Sequence, residues 1–222
     1  MSSIAVLGRG KTGSRVIELL DKRGQNFTSY HSQNPPTQNL FNHQSVISFL
    51  SGDVLSSYYD IILKNPRIII SGSTGVEFDE SFKKRVRDSD CVWIQAHNFS
   101  LGMNLVRAMI QKLSKAATLY DNYDFHLHET HHTGKKDAPS GTALRMRDWL
   151  GEKCVITSDR TGDVIGDHIL KLKTAFEEIT LRHEALDRNI FAEGALWAWD
   201  FATSKKLLPG FYWFEELIQK EL

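Results

Sequence analysis

Ile4-Ala5-Val6-Leu7-Gly8-Arg9-Gly10-Lys11-Thr12-Gly13 stands near the start of the chain. Four apolar residues in a row read as a buried strand. Gly8, Gly10 and Gly13 then fit G-x-G-x-x-G. Val16, Leu19 and Leu20 follow at helical spacing, which predicts a helix over Ser14–Lys22. A strand, a glycine turn and a helix make the context in which this motif holds a dinucleotide. The glycines allow a tight turn and close backbone approach, and the helix N-terminus receives the pyrophosphate. Gly8, Arg9, Gly10, Lys11, Thr12 and Gly13 are therefore the first candidate cofactor residues.

Outward from this turn the alternation continues. Strands are expected at Asn26–Tyr30, Val46–Phe49, Arg67–Ser71 and Cys91–Gln95, and helices at Val54–Leu63 and Phe78–Arg87. Residues 31–44 are polar, contain Pro35-Pro36, and read as a loop. Alternating strands and helices predict an α/β fold with a parallel sheet covered on both faces. The pattern changes after residue 100. A long helix is expected over Met103–Ala117, a strand around Phe125–Thr130 and a helix near Thr142–Leu150. Strands follow at Cys154–Thr157, Val164–Lys173 and Phe176–Ala185, and helices at Arg188–Thr203 and Tyr212–Lys220. Consecutive strands late in the chain point to an inserted α+β unit.

Composition narrows the function. The 222 residues carry 27 basic and 27 acidic side chains and are 41% apolar. That suits a folded core and gives no electrostatic case for nucleic acid or an anionic membrane. The apolar runs are far shorter than a membrane span, and Met1-Ser2-Ser3-Ile4 lacks the regions of a signal peptide. The two cysteines, Cys91 and Cys154, cannot build a disulfide framework, so a cytoplasmic location is expected. No Asp or Glu stands between Asp21 and Asp53, where a dinucleotide fold places the acid that binds the adenosine ribose. Without that acid nothing repels a 2′-phosphate, and Arg9 and Lys11 can approach one. The expected cofactor is NADPH, or both NADPH and NADH.

His126, His128, His131 and His132 fall within seven residues, and His128-Glu129-Thr130-His131-His132 satisfies H-E-x-x-H. That zinc motif works on a helix, where both histidines share a face. Here the flanking residues alternate as a strand does, and no metal site is expected. The next residues carry more information. Asp137-Ala138-Pro139-Ser140-Gly141-Thr142 places small residues at a helix start, where Ser140 or Thr142 can cap and free N–H groups can receive a carboxylate. Lys135 adds a positive charge, and His131 or His132 can supply a proton near neutral pH.

The stretch from Glu129 to Ala143 resembles the E-x-H-H-x-x-K-x-D-A-P-S-G-T-A signature of dihydrodipicolinate reductases. Gly72-Ser73-Thr74-Gly75 is similar to the family's G-T-T-G loop, with Ser73 a departure. Asn98-Phe99-Ser100-Leu101-Gly102-Met103-Asn104 is similar to its N-F-S-x-G-x-N hinge, and Arg160 to His168 to its R-x-G-x-x-x-G-x-H turn. His183 to Ala195 and Leu208-Pro209-Gly210-Phe211-Tyr212 agree with its last helix and closing loop. Residues 31–67 are the departure, with one strand–helix unit shortened or missing.

The resemblance implies a Rossmann-like dinucleotide-binding domain, residues 1–99 and 189–222. It implies an inserted substrate-binding and oligomerisation domain, residues 100–188, and a homotetramer, with a dimer as the second choice. The implied reaction is NAD(P)H-dependent reduction of 4-hydroxy-tetrahydrodipicolinate, a small dicarboxylate, on the way to diaminopimelate and lysine. By position, His131 is the implied proton donor and Lys135 the partner of a substrate carboxylate. His132, Ser140, Gly141, Thr142 and Thr74 would line the substrate. Gly72, Ser73, Thr74, Asn98, Phe99 and Arg188 would join the glycine turn around the cofactor. Two alternatives are a non-catalytic relative that binds dinucleotide or dicarboxylate, and a Rossmann oxidoreductase acting on another small dicarboxylate. The first would be expected to lose His131 or Lys135, and both are present.

Overall fold

A computed structural model of the chain describes residues 3–65 and 67–222. Met1 and Ser2, on which the reading of the N-terminus partly rests, lie outside the described residues. In chain order the elements are β1 (Ile4–Leu7), α1 (Lys11–Lys22), β2 (Phe27–Tyr30), β3 (Ser45–Ser48), α2 (Gly52–Ser56), α3 (Tyr59–Ile62), β4 (Ile68–Ser71), α4 (Glu80–Asp88) and β5 (Val92–Gln95). There follow α5 (Leu101–Ala117), β6 (Asp124–His131), α6 (Gly141–Leu150), β7 (Cys154–Arg160), β8 (Asp167–Lys173) and β9 (Glu178–Glu184). The chain closes with α7 (Asn189–Lys205), β10 (Gly210–Trp213) and α8 (Phe214–Glu221). Residues up to Leu101 with Arg188–Leu222 form one compact unit, and Gly102–Asp187 form another. Among the described residues no helix is long and apolar enough to cross a membrane.

The first unit is built on six strands in the order β10-β5-β4-β3-β1-β2, every neighbouring pair parallel. Alternate residues of each strand serve opposite faces. Ile4, Val6, Ile47, Ile70 and Ile94 pack under Val16 and Leu20 of α1, Leu196 and Trp199 of α7, and Phe214 of α8. Ala5, Leu7, Val46, Ile69 and Trp93 pack under Leu55, Ile62, Phe82 and Val86 of α2, α3 and α4. β1 lies between β2 and β3, so the direction of winding reverses beside it. That switch opens a crevice at the carboxyl ends of these strands, where Gly8, His31 and Phe49 emerge.

The structure corrects several expectations. Tyr212 and Trp213 do not start the closing helix. They lie in β10, where Tyr212 is in register with Ile94 and Trp213 with Gln95. An edge position on a parallel sheet settles their conformation, and an apolar run cannot reveal that. Val54–Leu63 is not one helix but two short ones, parted at Ser57 and Tyr58. The loop over 31–44 contains a 3-10 turn, Gln38–Asn42. That turn is the only helix between β2 and β3 among the described residues. Polar groups seal the gap. Arg67 is buried and donates from Nη1 to the Leu40 carbonyl at 3.1 Å, and Tyr30 Oη lies 3.0 Å from His43 Nε2.

The second unit has four strands in the order β7-β6-β8-β9, with β6 parallel to β7 and antiparallel to β8. Phe125, Leu127, Leu170 and Leu172 face Val106 and Ile110 of α5 and Ala143, Met146 and Leu150 of α6. His126 and His128 lie on the other face, which leaves Val155 57% exposed.

Candidate active site

Gly8 leaves β1 with φ near +97°, which L side chains rarely adopt. A Cβ on Gly13 would stand 2.1 Å from the Gly8 carbonyl oxygen, so only glycine lets α1 start this close to the strand. Gly10 is the extended residue before α1, and a Cβ there would meet nothing within 4 Å. The first N–H groups of α1, from Lys11, Thr12 and Gly13, have no partner within the helix. The turn borders a cavity of about 770 Å³ lined by Gly8, Arg9, Gly10, Ser14, His31, Ser32, Gln33, Phe49, Leu50, Ser51 and Val54. No carboxylate is in that lining. Asp53 is in the neighbouring helix turn without reaching it, and Lys11 is also outside it. A phosphate-bearing nucleotide fits this set: a glycine turn, a helix N-terminus and Arg9.

The second loop of this unit is fixed from beneath. Gln95 Nε2 donates to the Ser73 carbonyl at 2.9 Å, the Gly72 N–H donates to Ser48 O at 2.9 Å, and the Gly52 N–H donates to Thr74 O at 2.9 Å. Ser73 is buried with its hydroxyl 3.4 Å from that of Ser48, so its side chain faces inward. A Cβ on Gly72 would meet the Phe49 ring at 2.4 Å. Thr74 and Gly75 are exposed at the tip. Phe99 is 2% exposed; its ring packs against Phe49 and Phe214, and a Cβ on Gly194 would stand 1.7 Å from its carbonyl oxygen. Asn98 accepts the Ser100 N–H at 2.8 Å and shapes the turn before α5. Arg188 immediately precedes α7 and is partly exposed.

In the second unit, Phe125, Leu127, Glu129 and His131 form the buried face of β6, so two polar groups continue an apolar row. Glu129 is fully buried. Its Oε1 accepts from Arg160 Nη2 at 2.9 Å and from the Ser140 N–H at 3.0 Å. Burial alone would raise this carboxyl group. Hydrogen bonds from Arg160, Ser158 and Ser140 outweigh it and bring the pKa down to about 2. Its other oxygen, Oε2, lies 2.5 Å from His131 Nδ1, a skewed contact in which neither atom has an aligned hydrogen bond. Burial, more than any neighbour, lowers the His131 imidazole. Glu129 opposes that shift, and Lys135 and Arg160 add to it. His168 packs edge-on against the His131 ring at 5.1 Å and is held down at about 4 by burial and then by His131.

Strand register assembles these groups. His168 stands opposite Glu129 on β8, and Arg160 stands opposite His131 on β7. Arg160 also donates to the Asp137 carbonyl. Lys135 pairs with the exposed Asp137 at 2.9 Å, and His132 is half-buried beside them in sequence. Ser140 caps α6, its Oγ accepting the Ala143 N–H at 3.1 Å. Gly141 is exposed and Thr142 half-exposed at the first turn. The H-E-x-x-H residues lie on β6 and just beyond it, where His128 and His132 cannot share a helical face. A different set, Glu129, His131 and His168, does bring its ligand atoms within 4.8 Å of one another. The Arg160 guanidinium on the same carboxylate opposes a divalent cation there.

The sequence matched Glu129, Arg160, Gly166 and His168 as letters of a motif and gave them no role. The available signal was the period of two along β6, which puts Glu129 on the same face as His131.

A parallel sheet with a glycine turn at its switch point, together with a second sheet carrying a buried histidine–carboxylate pair, defines the class of dinucleotide-dependent oxidoreductases. The model of the C-terminal part of dihydrodipicolinate reductase matches residues 102–218. A 4-hydroxy-tetrahydrodipicolinate reductase of Thermosipho africanus is 30% identical over 217 residues, covering 96% of this chain and 95% of that one. One of Methanospirillum hungatei is 30% identical over 194 residues, covering 78% and 74%. The dipicolinate-bound dihydrodipicolinate reductase of Paenisporosarcina sp. TG-14 has the same fold, with a TM-score of 0.75 and 19% identity over 97% of this chain and 99% of that one. The chain belongs to the dihydrodipicolinate reductase family.

Proposed function

We propose that the protein converts 4-hydroxy-tetrahydrodipicolinate to tetrahydrodipicolinate, the hydroxyl leaving as water and NADPH or NADH supplying the hydride, a step towards diaminopimelate and lysine. The observation that carries this reading is the group of His131, Lys135 and the Ser140-capped start of α6 in one unit. Together they offer a proton, a cation and free N–H groups. Bound NAD(P)H supplies the hydride. Gly8, Gly10, Gly13 and the N–H groups of Lys11 and Thr12 hold its pyrophosphate, and Gly72, Thr74, Asn98, Phe99 and Arg188 border its far end. Lys135 exchanges Asp137 for one substrate carboxylate. Gly141 and Thr142 receive the same group through the helix start, with His132 as a further contact. His131 gives up a proton from Nε2.

The acid-free cavity with Arg9, His31, Ser32 and Gln33 in its lining supports NADPH over NADH. The open face of the four-stranded sheet supports a symmetric assembly through that sheet, a tetramer before a dimer. Two free cysteines and an NADPH-linked step suit the cytoplasm.

The test is steady-state reduction by the wild type, His131→Ala and Lys135→Ala. Loss of a general acid costs about 10²–10⁴-fold in turnover. Lys135→Ala should in addition weaken pyridine-2,6-dicarboxylate. Turnover near that of the wild type in both variants contradicts the assignment.

A further inference from the structure

We propose that Glu129 is the positioning residue for His131. Its carboxylate faces the Nδ1–H of the ring and keeps that proton in place, so that Nε2 alone exchanges a proton with the substrate. This rests on the reading of His131 as the proton donor and adds how that ring is oriented and charged.

A carboxylate oxygen 2.5 Å from Nδ1 would repel a lone pair there. A proton on Nδ1 makes the contact attractive. The carboxylate cannot turn away, because Oε1 is fixed by two donors, Arg160 Nη2 and the Ser140 N–H. Those donors come from β7 and from the start of α6, so the orientation of the ring is tied to the helix that would bind the dicarboxylate. At the other end of the ring, a Cβ on Gly166 would stand 3.1 Å from Nε2. Glycine at that position keeps Nε2 clear. The groups around His131 are Glu129 on its own strand, Lys135 in the following loop, Arg160 on β7 and His168 on β8, with His183 of β9 behind His168. Lys135 and Arg160 disfavour the imidazolium. Glu129 is the one anion among these groups that favours it.

The proton balance is simple. The imidazolium carries a proton on each nitrogen. The Nε2–H bond breaks as that proton passes to the substrate, and the neutral ring keeps Nδ1–H against Glu129. Solvent then restores the Nε2 proton. Glu129 stays ionised throughout, held so by Arg160.

Glu129→Gln separates positioning from architecture. The amide oxygen takes the Oε1 place, because Arg160 and the Ser140 N–H are both donors. The amide NH₂ then faces Nδ1, which must become an acceptor. The neutral ring would hold its proton on Nε2, and the imidazolium would lose its counter-charge. The experiment is ¹⁵N NMR of the imidazole nitrogens in the whole protein at about pH 8, where an ordinary histidine is neutral. His131→Asn serves to assign the signals. The wild type should show a protonated Nδ1 and a bare Nε2, and Glu129→Gln the reverse. Turnover in Glu129→Gln should fall about 10²-fold, and its loss on the alkaline side should begin at lower pH. A purely structural Glu129 would shift neither the tautomer nor the pH profile. A wild-type ring protonated on Nε2 overturns the proposal without any variant. A reversed tautomer with unchanged turnover upholds the positioning and removes His131 as the acid.

Discussion

Acid should loosen this fold through His168, by an amount that follows from its burial. The ring is 3% exposed and, among the described residues, neither nitrogen has a hydrogen-bond partner. Its pKa falls from an ordinary 6.5 to about 4, through burial first and the neighbouring His131 second. The unfolded chain therefore takes up this proton before the folded one does. The contribution to stability is complete above about pH 6.5 and is lost as pH falls towards 4. A gap of about 2.5 units at about 1.4 kcal/mol per unit limits the loss to about 3 kcal/mol, of which about 2 kcal/mol falls between pH 7 and pH 5. His43, His131 and His183 are also lowered and add with the same sign. Glu129, held near 2, adds its own loss only below the ordinary carboxylate range. Urea unfolding followed by tryptophan fluorescence, at about pH 7 and pH 5, measures the sum. His168→Asn isolates one group: the fall in stability between the two pH values should shrink by about 2 kcal/mol. The same fall in variant and wild type would show that His168 is not the group whose proton uptake loosens the fold.

Further outcomes follow from the sites. Arg9→Ala should lower kcat/KM for NADPH roughly tenfold and leave NADH nearly unchanged, since only the 2′-phosphate gains a charge-assisted bond. Raising the ionic strength should narrow the NADPH advantage in the wild type, because Arg9 is exposed. Lys11→Ala should act more weakly than Arg9→Ala, since Lys11 is outside the cavity lining; steady-state kinetics with both nucleotides checks all three effects. Treatment with a chelator should leave turnover unchanged, and elemental analysis should find no stoichiometric zinc, because the Arg160 guanidinium on Glu129 Oε1 opposes a second cation at that carboxylate. Light scattering at micromolar concentration should give the mass of a tetramer; a monomer of 25.3 kDa would contradict assembly through the open sheet face.

What could be read in the sequence was local. The glycine turn is legible because backbone shape is written in residue type: Gly8 needs its positive φ and Gly13 its missing Cβ. The buried face of β6 is legible as alternation. The helix start at Ser140 is legible as a cap. Long-range pairing was not. β10 gained its strand from β5, more than a hundred residues earlier in the chain. The break at Ser57 and Tyr58 depends on packing over the second face of the sheet. Phe99 and Ser73 stand in motif positions, yet their side chains face the core, and spacing cannot show which way a side chain points. The set of Glu129, Arg160 and His168 needs the register of three strands, which one sequence does not state.

A member of this family should reduce 4-hydroxy-tetrahydrodipicolinate at the expense of a nicotinamide nucleotide. The most direct measurement follows absorbance of the reduced nucleotide while 4-hydroxy-tetrahydrodipicolinate is generated by its synthase in the same cuvette. Oxidation should depend on both the protein and the synthase product, one nucleotide per substrate, with NADPH at least as efficient as NADH. No oxidation above background with either nucleotide, from protein shown to be folded, would contradict the proposed reaction.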